Sequence, residues 1–400
     1  MGMKHLIRSL LLMKMIKKIH KYKLIVAILC IVSMQKHINM KKILFLLSVI
    51  LVLAGCTNQC SNKTECSKPR KVKNVIFMIG DGMGLNQIYA GMTANGGTLN
   101  IERCTHTGLA KTYSANSYIT DSAAGGTALA TGSKTNNGMI GMNADSVAVE
   151  SVLSAAEQAG MATGLVATVR ITHATPASFY AHQINRGMYQ EIAADMLTSG
   201  VDFFVGGGRN DFEFRTDSLN YFDSLRNINY NIVYSLDSVE APALLPFGAL
   251  CADYDMPQAR ERGNFLPDAV DLAIKSLDAR GDGFFLMVEG SQIDYQGHGN
   301  STEGVIDEVL DFDRAIRIAL DFAERDGETL VVITADHETG GMTILNGSYT
   351  DSTVVAQFNT GGHTGTMVPI YSFGPQAERF TGIMENIEIP ARIKAACELK

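Results

Sequence analysis

The chain has 400 residues, of which 46% are hydrophobic and 19% are charged, and its formal net charge is −7. This composition excludes a disordered chain, because it supplies enough apolar side chains to build a large core. No stripe of lysine and arginine runs through the body of the chain, which argues against nucleic acid as a partner. The basic residues cluster instead near the N-terminus, a distribution typical of membrane targeting.

A targeting signal stands in this N-terminal region. Met-Lys-Lys at 40–42 is followed by the apolar run 43–53 and then by Leu-Ala-Gly-Cys at 53–56. This order predicts a secretory signal peptide over residues 40–55, and the run is too short to span a bilayer as an ordinary helix. The last four residues resemble a bacterial lipobox. They predict an exported protein, periplasmic or at the cell surface, that is anchored to a membrane through a lipid on Cys56; a plain signal peptide and a membrane stub are the alternatives.

The segments on either side of this signal carry less information. Residues 1–39 are interpreted either as the product of a start site placed too far upstream or as a genuine additional anchor. Residues 56–73 are polar and charged and predict a tether, and residues 74–400 predict one folded domain. The seven cysteines include no CxxC pair, so a zinc finger has no support, and no disulfide pairing is predicted.

From residue 74 onward, continuous apolar runs alternate with amphipathic helical patterns. The predicted strands are 74–79, 164–169, 201–205, 284–288, 330–334 and 368–373, and the predicted helices are 147–159, 189–197, 266–277 and 302–325. Because the apolar runs are continuous, they predict a sheet that is buried on both faces. The alternation predicts a doubly wound α/β domain with a mostly parallel central sheet flanked by helices on both faces. Residues 210–250 predict a small surface insertion, and 340–362 a second loop.

Acidic and histidine side chains follow the ends of several predicted strands. They are Asp81, Glu289, Asp294, His298, Asp336 and His337, of which those between 289 and 298 are predicted to lie in a loop, while His363 precedes the last predicted strand. Ligands of an open α/β sheet bind beyond the carboxyl ends of its strands, so these side chains predict a metal cluster at one rim. Carboxylates mixed with imidazoles suit Zn²⁺, and carboxylates with a hydroxyl suit Mg²⁺. Taken singly, each would more often be an ordinary loop carboxylate or a hydrogen-bonded histidine than a metal ligand.

Two stretches of small residues stand beside these candidates. Gly-Asp-Gly-Met-Gly at 80–84 lacks the GxGxxG spacing of a dinucleotide site, and indicates a turn that directs Asp81 toward a cation, or a turn alone. Thr-Asp-Ser-Ala-Ala at 120–124 predicts a helix start at which Ser122 is either an N-cap or a nucleophile. The chain has no GxSxG elbow around Ser122, which argues against an ordinary serine esterase. Metal coordination can activate a serine without a histidine base.

Together these stretches resemble the alkaline phosphatase family. The matching stretches, in the order of that family, are Ile79-Gly-Asp-Gly-Met-Gly, Thr120-Asp-Ser-Ala-Ala, Thr175-Pro, Arg186, Val288-Glu-Gly-Ser-Gln-Ile-Asp through His298, Thr334-Ala-Asp-His and Gly362-His-Thr-Gly. The resemblance implies a phosphate monoesterase with two zinc ions and one magnesium ion that acts through two in-line displacements and a phosphoserine. Since the family is often dimeric, a homodimer is a further expectation.

The resemblance also implies a role for each candidate residue. The implied ligand sets are Asp294, His298 and His363 for the first zinc, Asp81, Asp336 and His337 for the second, and Asp81, Thr175 and Glu289 for magnesium. Ser122 is the implied nucleophile. Arg186 is the implied phosphate clamp, because a guanidinium fork grips two phosphate oxygens at once; without the motif it would be interpreted as a helix surface residue.

Two positions depart from the family pattern. His173 stands where many bacterial members have an aspartate, and its neutral imidazole predicts weaker or altered occupancy of the magnesium site. Tyr295 stands where many members have lysine or histidine beside bound phosphate, and predicts that phosphate is held by fewer charges and released more easily.

Other functions fit this pattern less well. A phosphodiesterase of the same superfamily would more often lack the arginine and the magnesium set, so Arg186, Thr175 and Glu289 favour monoesters. A sulfatase would need a C/S-x-P-x-R motif, which is absent around Ser122. A non-catalytic lipoprotein that binds metal or phosphate is the alternative from another class, and it predicts binding without turnover.

Overall fold

The computed structural model describes residues 71–400. The predicted segments 1–39 and 40–55, and nearly all of the predicted tether 56–73, lie outside the described residues. Among residues 71–400 the cysteines at positions 104, 251 and 397 are free thiols. No helix in that range combines the length and the hydropathy required to cross a membrane.

The strands and helices of the described residues alternate along the chain. The strands are β1 (Asn74–Gly80), β2 (His106–Lys111), β3 (Ala162–Arg170), β4 (Phe203–Gly207), β5 (Asn231–Val233), β6 (Phe247–Leu250), β7 (Phe284–Gly290), β8 (Thr329–Thr334), β9 (Glu338–Thr339), β10 (Thr343–Ser348), β11 (Thr353–Gln357), β12 (His363–Thr364), β13 (Val368–Phe373) and β14 (Gly382–Glu385). The α-helices are α1 (Leu85–Ala94), α2 (Ser122–Thr131), α3 (Val152–Gln158), α4 (Ala174–Ala177), α5 (Tyr189–Met196), α6 (Arg209–Glu213), α7 (Tyr221–Asn227), α8 (Ala259–Arg262), α9 (Phe265–Asp278), α10 (Gln292–His298), α11 (Thr302–Asp326) and α12 (Glu388–Cys397).

Ten of these strands form one sheet, in the order β14-β2-β13-β8-β1-β7-β3-β4-β6-β5. Neighbouring strands are parallel except that β13 runs antiparallel to both β2 and β8. Strands β1, β4, β7 and β8 are buried along their whole lengths, as a parallel sheet covered on both faces requires. The predicted α/β fold with a mostly parallel central sheet is therefore confirmed.

Helices α9 and α11 pack against each other and against this sheet, and α3 and α12 form a second such pair. Helix α11 begins where the Ser301 side chain accepts a hydrogen bond from the backbone N of Gly304, and ends at Gly327, which has the left-handed φ of 73°. Its apolar residues recur at helical spacing, and Val305, Val309 and Phe312 are buried against the core.

Several predicted boundaries differ from the structure. The helix predicted over 147–159 starts at Val152, because the Ser151 hydroxyl caps the backbone N of Ser154. The loop predicted over 340–362 is wrong, since it contains the antiparallel hairpin of β10 and β11. Residues 210–250 are more regular than predicted, and add β5 and β6 to the end of the sheet.

Candidate metal centre

The sheet brings the candidate residues to one rim. Strand β1 lies between β7 and β8, and Ile79 is paired with Glu289 on one side and with Thr334 on the other. Because the three strands are parallel, the residues that follow them emerge at the same edge. The turn after β1 is closed by a hydrogen bond from the backbone N of Gly82 to Asp336 Oδ1, at 3.2 Å. Residues 81, 289 and 336 are thereby brought together from distant parts of the chain.

Three groups of side chains at this rim each have ligand atoms within 4.8 Å of one another. We call them group 1 (Asp294, His298 and His363), group 2 (Asp81, Asp336 and His337) and group 3 (Asp81, His173 and Glu289). Groups 1 and 2 match the predicted sets for the two zinc ions. Group 3 contains two of the three predicted magnesium ligands, together with the histidine that was predicted to alter that site.

Group 2 is the most deeply buried of the three. His337 Nε2 lies 3.1 Å from Asp336 Oδ2 and 3.5 Å from Asp81 Oδ1. Burial and the neighbouring charge of Asp336 raise the pKa of Asp81 well above its ordinary value. Burial acts in the same direction on Asp336, but attraction to His337 outweighs it and lowers that pKa. Both carboxylate oxygens of Asp81 and Oδ2 of Asp336 are buried without a hydrogen-bond partner, so this donor set fits a cation.

A threonine outside the predicted set orients the imidazole of group 2. Thr339 donates its single hydroxyl hydrogen to Asp294 Oδ1, so its oxygen accepts from His337 Nδ1 at 3.2 Å. His337 Nδ1 therefore carries a proton, and Nε2 is the ring nitrogen that faces the carboxylates. Thr339 thus connects group 2 to group 1 through one hydroxyl.

Group 1 is more open to solvent, and its imidazoles are also oriented by hydrogen bonds from their Nδ1 atoms. His298 Nδ1 lies 2.7 Å from the Gly361 carbonyl, and His363 Nδ1 lies 2.9 Å from the Thr120 carbonyl. A carbonyl only accepts, so both Nδ1 atoms donate, and the two Nε2 atoms face each other at 3.1 Å. The hydrogen bond to Asp294 raises the pKa of His298 to about 9. Two imidazole nitrogens that converge with the Asp294 carboxylate in this way form a donor set that fits a metal ion.

In group 3 and at Thr175, polar atoms from separate segments are buried without hydrogen-bond partners. Glu289 Oε2 accepts a hydrogen bond of 2.6 Å from Ser291 Oγ, whereas Glu289 Oε1, Thr175 Oγ1 and His173 Nδ1 are buried without partners. Burial raises the pKa of Glu289 to about 8. Burial and the nearby Arg186 lower the pKa of His173 to about 4, so its imidazole is neutral.

Ser122 is the first residue of α2, and the structure excludes the interpretation of Ser122 as the N-cap of this helix. Asp121 is the N-cap of that helix, because its side chain accepts from the backbone N of Ala124 at 3.0 Å. The Ser122 hydroxyl is therefore free of capping, and lies 3.2 Å from His337 Nε2. The helix approaches closely because Gly125 carries no side chain: a Cβ there would lie 3.1 Å from Asp336.

Arg186 reaches into the same region and is not a helix surface residue. Its Nη1 donates to Asp121 Oδ2 at 3.1 Å, and its Nη2 lies 3.3 Å from His173 Nε2. Burial opposes its charge, but Asp121 outweighs that effect and raises the pKa of the guanidinium. The hydroxyl of Tyr295 donates to Asp255 Oδ2 at 3.2 Å. The segment that carries Tyr295 was predicted as a loop, which is wrong, since it forms α10.

Comparison with known proteins identifies the relationship that this geometry indicates. A family model described as alkaline phosphatase matches residues 72–357. The chain belongs to the alkaline phosphatase family. Alkaline phosphatase 4 of Bacillus subtilis (strain 168) is 33% identical, over 88% of this chain and 95% of that protein. The alkaline phosphatase of Escherichia coli (strain K12) is 31% identical, over 83% of this chain and 87% of that protein. Alkaline phosphatases are phosphoric monoester hydrolases, and the chain is an enzyme of this class.

Solved structures of alkaline phosphatases show the same fold. That of the Antarctic bacterium TAB5 is 43% identical and superposes with a TM-score of 0.80, covering 83% of this chain and all of that chain. A mutant of the TAB5 enzyme in which a histidine is replaced by aspartate has Mg bound in its M3 site. A separate model, for prokaryotic membrane lipoprotein lipid attachment sites, matches residues 40–57. This match indicates an exported, lipid-anchored alkaline phosphatase.

Several residues at the rim were not predicted as site residues. Ser291 lies within the matched stretch that begins at Val288, and Thr339 stands two residues after His337, but the sequence assigned a role to neither. Asp255 lies in a segment without any recognisable pattern, and reaches the site only through the folded chain.

Proposed function

We propose that this chain is an exported, metal-dependent enzyme that hydrolyses phosphate monoesters to an alcohol and inorganic phosphate through a phosphoserine on Ser122. The observation that carries the proposal is the position of the Ser122 hydroxyl, 3.2 Å from Nε2 of His337, in a group whose Asp81 and Asp336 have buried carboxylate oxygens without partners. Membership of the alkaline phosphatase family supports the same chemistry.

The donor sets fit two zinc ions and one magnesium ion. Group 1, with two imidazoles and a carboxylate, suits zinc, and so does group 2 with its single imidazole. The oxygens of Asp81, Thr175 and Glu289 suit magnesium. When bound, these cations supply Lewis-acid stabilisation of negative charge and lower the pKa of hydroxyl and water groups beside them.

The residues of the chain position the ester for two displacements. In the first, the Ser122 oxygen forms a bond to phosphorus as the ester P–O bond breaks, and the alcohol leaves with a proton. In the second, water attacks the phosphoserine and its P–O bond to Ser122 breaks, which releases inorganic phosphate. Arg186, held by Asp121, presents its planar fork to two phosphoryl oxygens, so its contribution is orientation and charge balance.

A substitution at Ser122 tests this proposal. We expect Ser122→Ala to lower monoesterase activity by roughly a thousandfold or more while the metal content stays unchanged, because the nucleophile is lost and the ligands remain. Ser224→Ala, a helical serine on α7 at the far end of the sheet, is the matched control. Activity should be measured with 4-nitrophenyl phosphate and bis(4-nitrophenyl) phosphate, alongside metal analysis. Full activity in Ser122→Ala would remove this serine as nucleophile, a preference for the diester would favour a phosphodiesterase, and binding without turnover in the wild type would favour the non-catalytic alternative.

We propose that the magnesium site at group 3 differs from the one in alkaline phosphatases that have an aspartate in the place of His173. His173 adds a neutral nitrogen to group 3, where an aspartate would add negative charge, and this supports weaker or altered occupancy by magnesium. The Mg found in the M3 site of the TAB5 histidine-to-aspartate mutant is consistent with that expectation. Metal content and activity against added Mg²⁺ should be compared for wild type and His173→Asp. Indistinguishable metal dependence of the two proteins would contradict the proposal.

We propose that the exported chain is attached to a membrane through a lipid on Cys56. The lipid attachment match at residues 40–57 supports this. Incorporation of a labelled fatty acid into wild type but not into Cys56→Ala would be the expected result, and equal labelling would contradict it. A homodimer remains a prediction, to be measured by light scattering of the purified domain.

A further inference from the structure

A chain of contacts connects a loop without an assigned role to the candidate phosphate site. The loop 251–258 carries Asp255, whose carboxylate lies between two side chains. Its Oδ1 accepts hydrogen bonds from the backbone N of Arg170, at 3.0 Å, and from Arg170 Nε, at 3.2 Å. Its Oδ2 accepts from the hydroxyl of Tyr295, at 3.2 Å. Asp255 therefore couples the end of strand β3 to helix α10.

The contacts continue from Tyr295 to Arg186. The rings of Tyr295 and His173 form an edge-to-face pair, with centroids 6.1 Å apart and planes at 88°. The other side of His173 faces the guanidinium, since its Nε2 lies 3.3 Å from Arg186 Nη2. Arginine only donates, so the direction of this imidazole decides where one arm of the fork points.

Asp255 is itself held firmly. The Arg170 guanidinium lies 4.6 Å from the ring centroid of Tyr189 and 5.1 Å from that of Tyr254, and these cation–π contacts limit its movement. The loop is fixed at the next residue, because the Met256 carbonyl accepts from Gln292 Nε2 at 2.7 Å. A carboxylate fixed at both oxygens is a suitable anchor for a neighbouring side chain.

We propose that Asp255 is a positioning residue for phosphate binding, which acts on Arg186 through Tyr295 and His173. The proposal rests on the proposed function of Arg186 as the phosphate clamp. The Tyr295 hydroxyl is directed to Asp255, so the contribution of Tyr295 is the placement of its ring against His173. Without that anchor the imidazole gains freedom, and Arg186 spends less time in the orientation that grips phosphate.

The test measures inhibition by inorganic phosphate, with the full chain loaded with zinc and magnesium. We expect Asp255→Ala and Tyr295→Phe each to raise the inhibition constant of phosphate and the KM of a monoester by about fivefold, with a smaller change in kcat. The double variant should have an inhibition constant no higher than that of the more affected single variant, because both substitutions remove the same hydrogen bond. Asp253→Ala, in the same loop and paired with Arg209, is the matched control and should behave as wild type.

An isosteric variant separates position from charge. In Asp255→Asn the amide oxygen can accept from Arg170 while the amide nitrogen donates to the Tyr295 oxygen, so both contacts persist with the charge removed. We expect its inhibition constant to stay within about twofold of wild type. An effect as large as that of Asp255→Ala, or additive effects in the double variant, would overturn the positioning role.

The controls distinguish this inference from the proposed function. If Arg186→Ala leaves the inhibition constant of phosphate unchanged, the clamp itself is wrong. If Arg186→Ala weakens phosphate binding but Asp255→Ala equals Asp253→Ala, the clamp stands and the positioning role is wrong. Circular dichroism and metal content of each variant identify one that has lost the fold.

Discussion

The buried arginine of helix α8 allows a sharp test of how the loop 251–258 is fixed to the rest of the domain. The Arg262 side chain is 1% exposed and pairs with Glu308 and Asp311 of α11, which are 2% and 0% exposed. Its Nε and Nη2 lie 3.0 Å and 2.6 Å from Asp311 Oδ2. Replacement by methionine keeps the apolar stem and removes the charge, which leaves two buried carboxylates without their shared partner.

The expected loss in the free energy of unfolding depends on the hydrogen bonds that the two carboxylates keep. Breaking a buried ion pair by removing one partner typically destabilises a protein by about 3–5 kcal/mol. Glu308 would keep its hydrogen bond from the backbone N of Ala259, at 2.9 Å, and Asp311 would keep Arg314, at 2.7 Å. We therefore expect the lower end, a loss of about 3 kcal/mol in the free energy of unfolding for Arg262→Met. Two residues earlier, Arg260 is 58% exposed, and Arg260→Met should lose no more than about 0.5 kcal/mol.

Urea unfolding at equal metal saturation measures both variants, and pH gives a second criterion. Burial already raises the pKa of Glu308, and loss of Arg262 raises it further. The folded variant then binds more protons than the unfolded chain at pH values above the ordinary glutamate pKa, so its stability falls as pH rises. The loss in the free energy of unfolding of Arg262→Met relative to wild type should therefore be smaller at pH 5 than at pH 8. Equal losses in the two arginine variants, or a deficit that grows on acidification, would refute this account.

Three further predictions concern the metal centre. Gly82→Ala should lose metal and about 2 kcal/mol or more of stability, because φ is +72° and the new Cβ would lie 2.8 Å from the Asp294 Cα. Gly263→Ala is the control for backbone strain alone, since φ there is +62° and a Cβ would meet no other atom. Metal analysis and urea unfolding measure both variants. The chelated protein should lose stability as pH rises toward 8. Burial raises the pKa of Glu289 to about 8 in the folded state, so between the ordinary glutamate pKa and pH 8 the folded protein holds a proton that the unfolded chain has lost. Unfolding that is equally pH-dependent after metal is restored would contradict this prediction. Tyr295→Lys should bind inhibitory phosphate roughly fivefold more tightly than Tyr295→Phe, because both variants lack the hydrogen bond to Asp255 and only the lysine adds a positive charge; equal inhibition constants for the two variants would refute this prediction.

The centre of the fold and two of the metal groups were predictable from the sequence for a common reason. Parallel strands buried on both faces are continuous apolar runs, so Asn74–Gly80 and Thr329–Thr334 stand out, and the polar residues that follow them must meet at one edge. Asp81, Asp336 and His337 were predicted by that reasoning together with the family resemblance.

Other features depend on contacts that the local sequence does not encode. The hairpin of Thr343–Ser348 and Thr353–Gln357 is largely exposed, and its few apolar residues are too short a run to mark a strand buried on both faces. Helix Gln292–His298 is too short for a periodicity to be read. At positions 121 and 122, aspartate and serine are equally good caps, and only the folded chain shows which of the two caps the helix.

The wide separation of the ligands in the chain has a consequence for metal supply. Gly82 and Asp336, which are hydrogen-bonded at the heart of group 2, are 254 residues apart. The unfolded chain therefore offers no preformed site, and ions can be captured only after β1, β7 and β8 have assembled. For a protein that is exported, the ions available outside the membrane would then decide which metals it carries. Metal selection would be a property of the compartment in which folding ends.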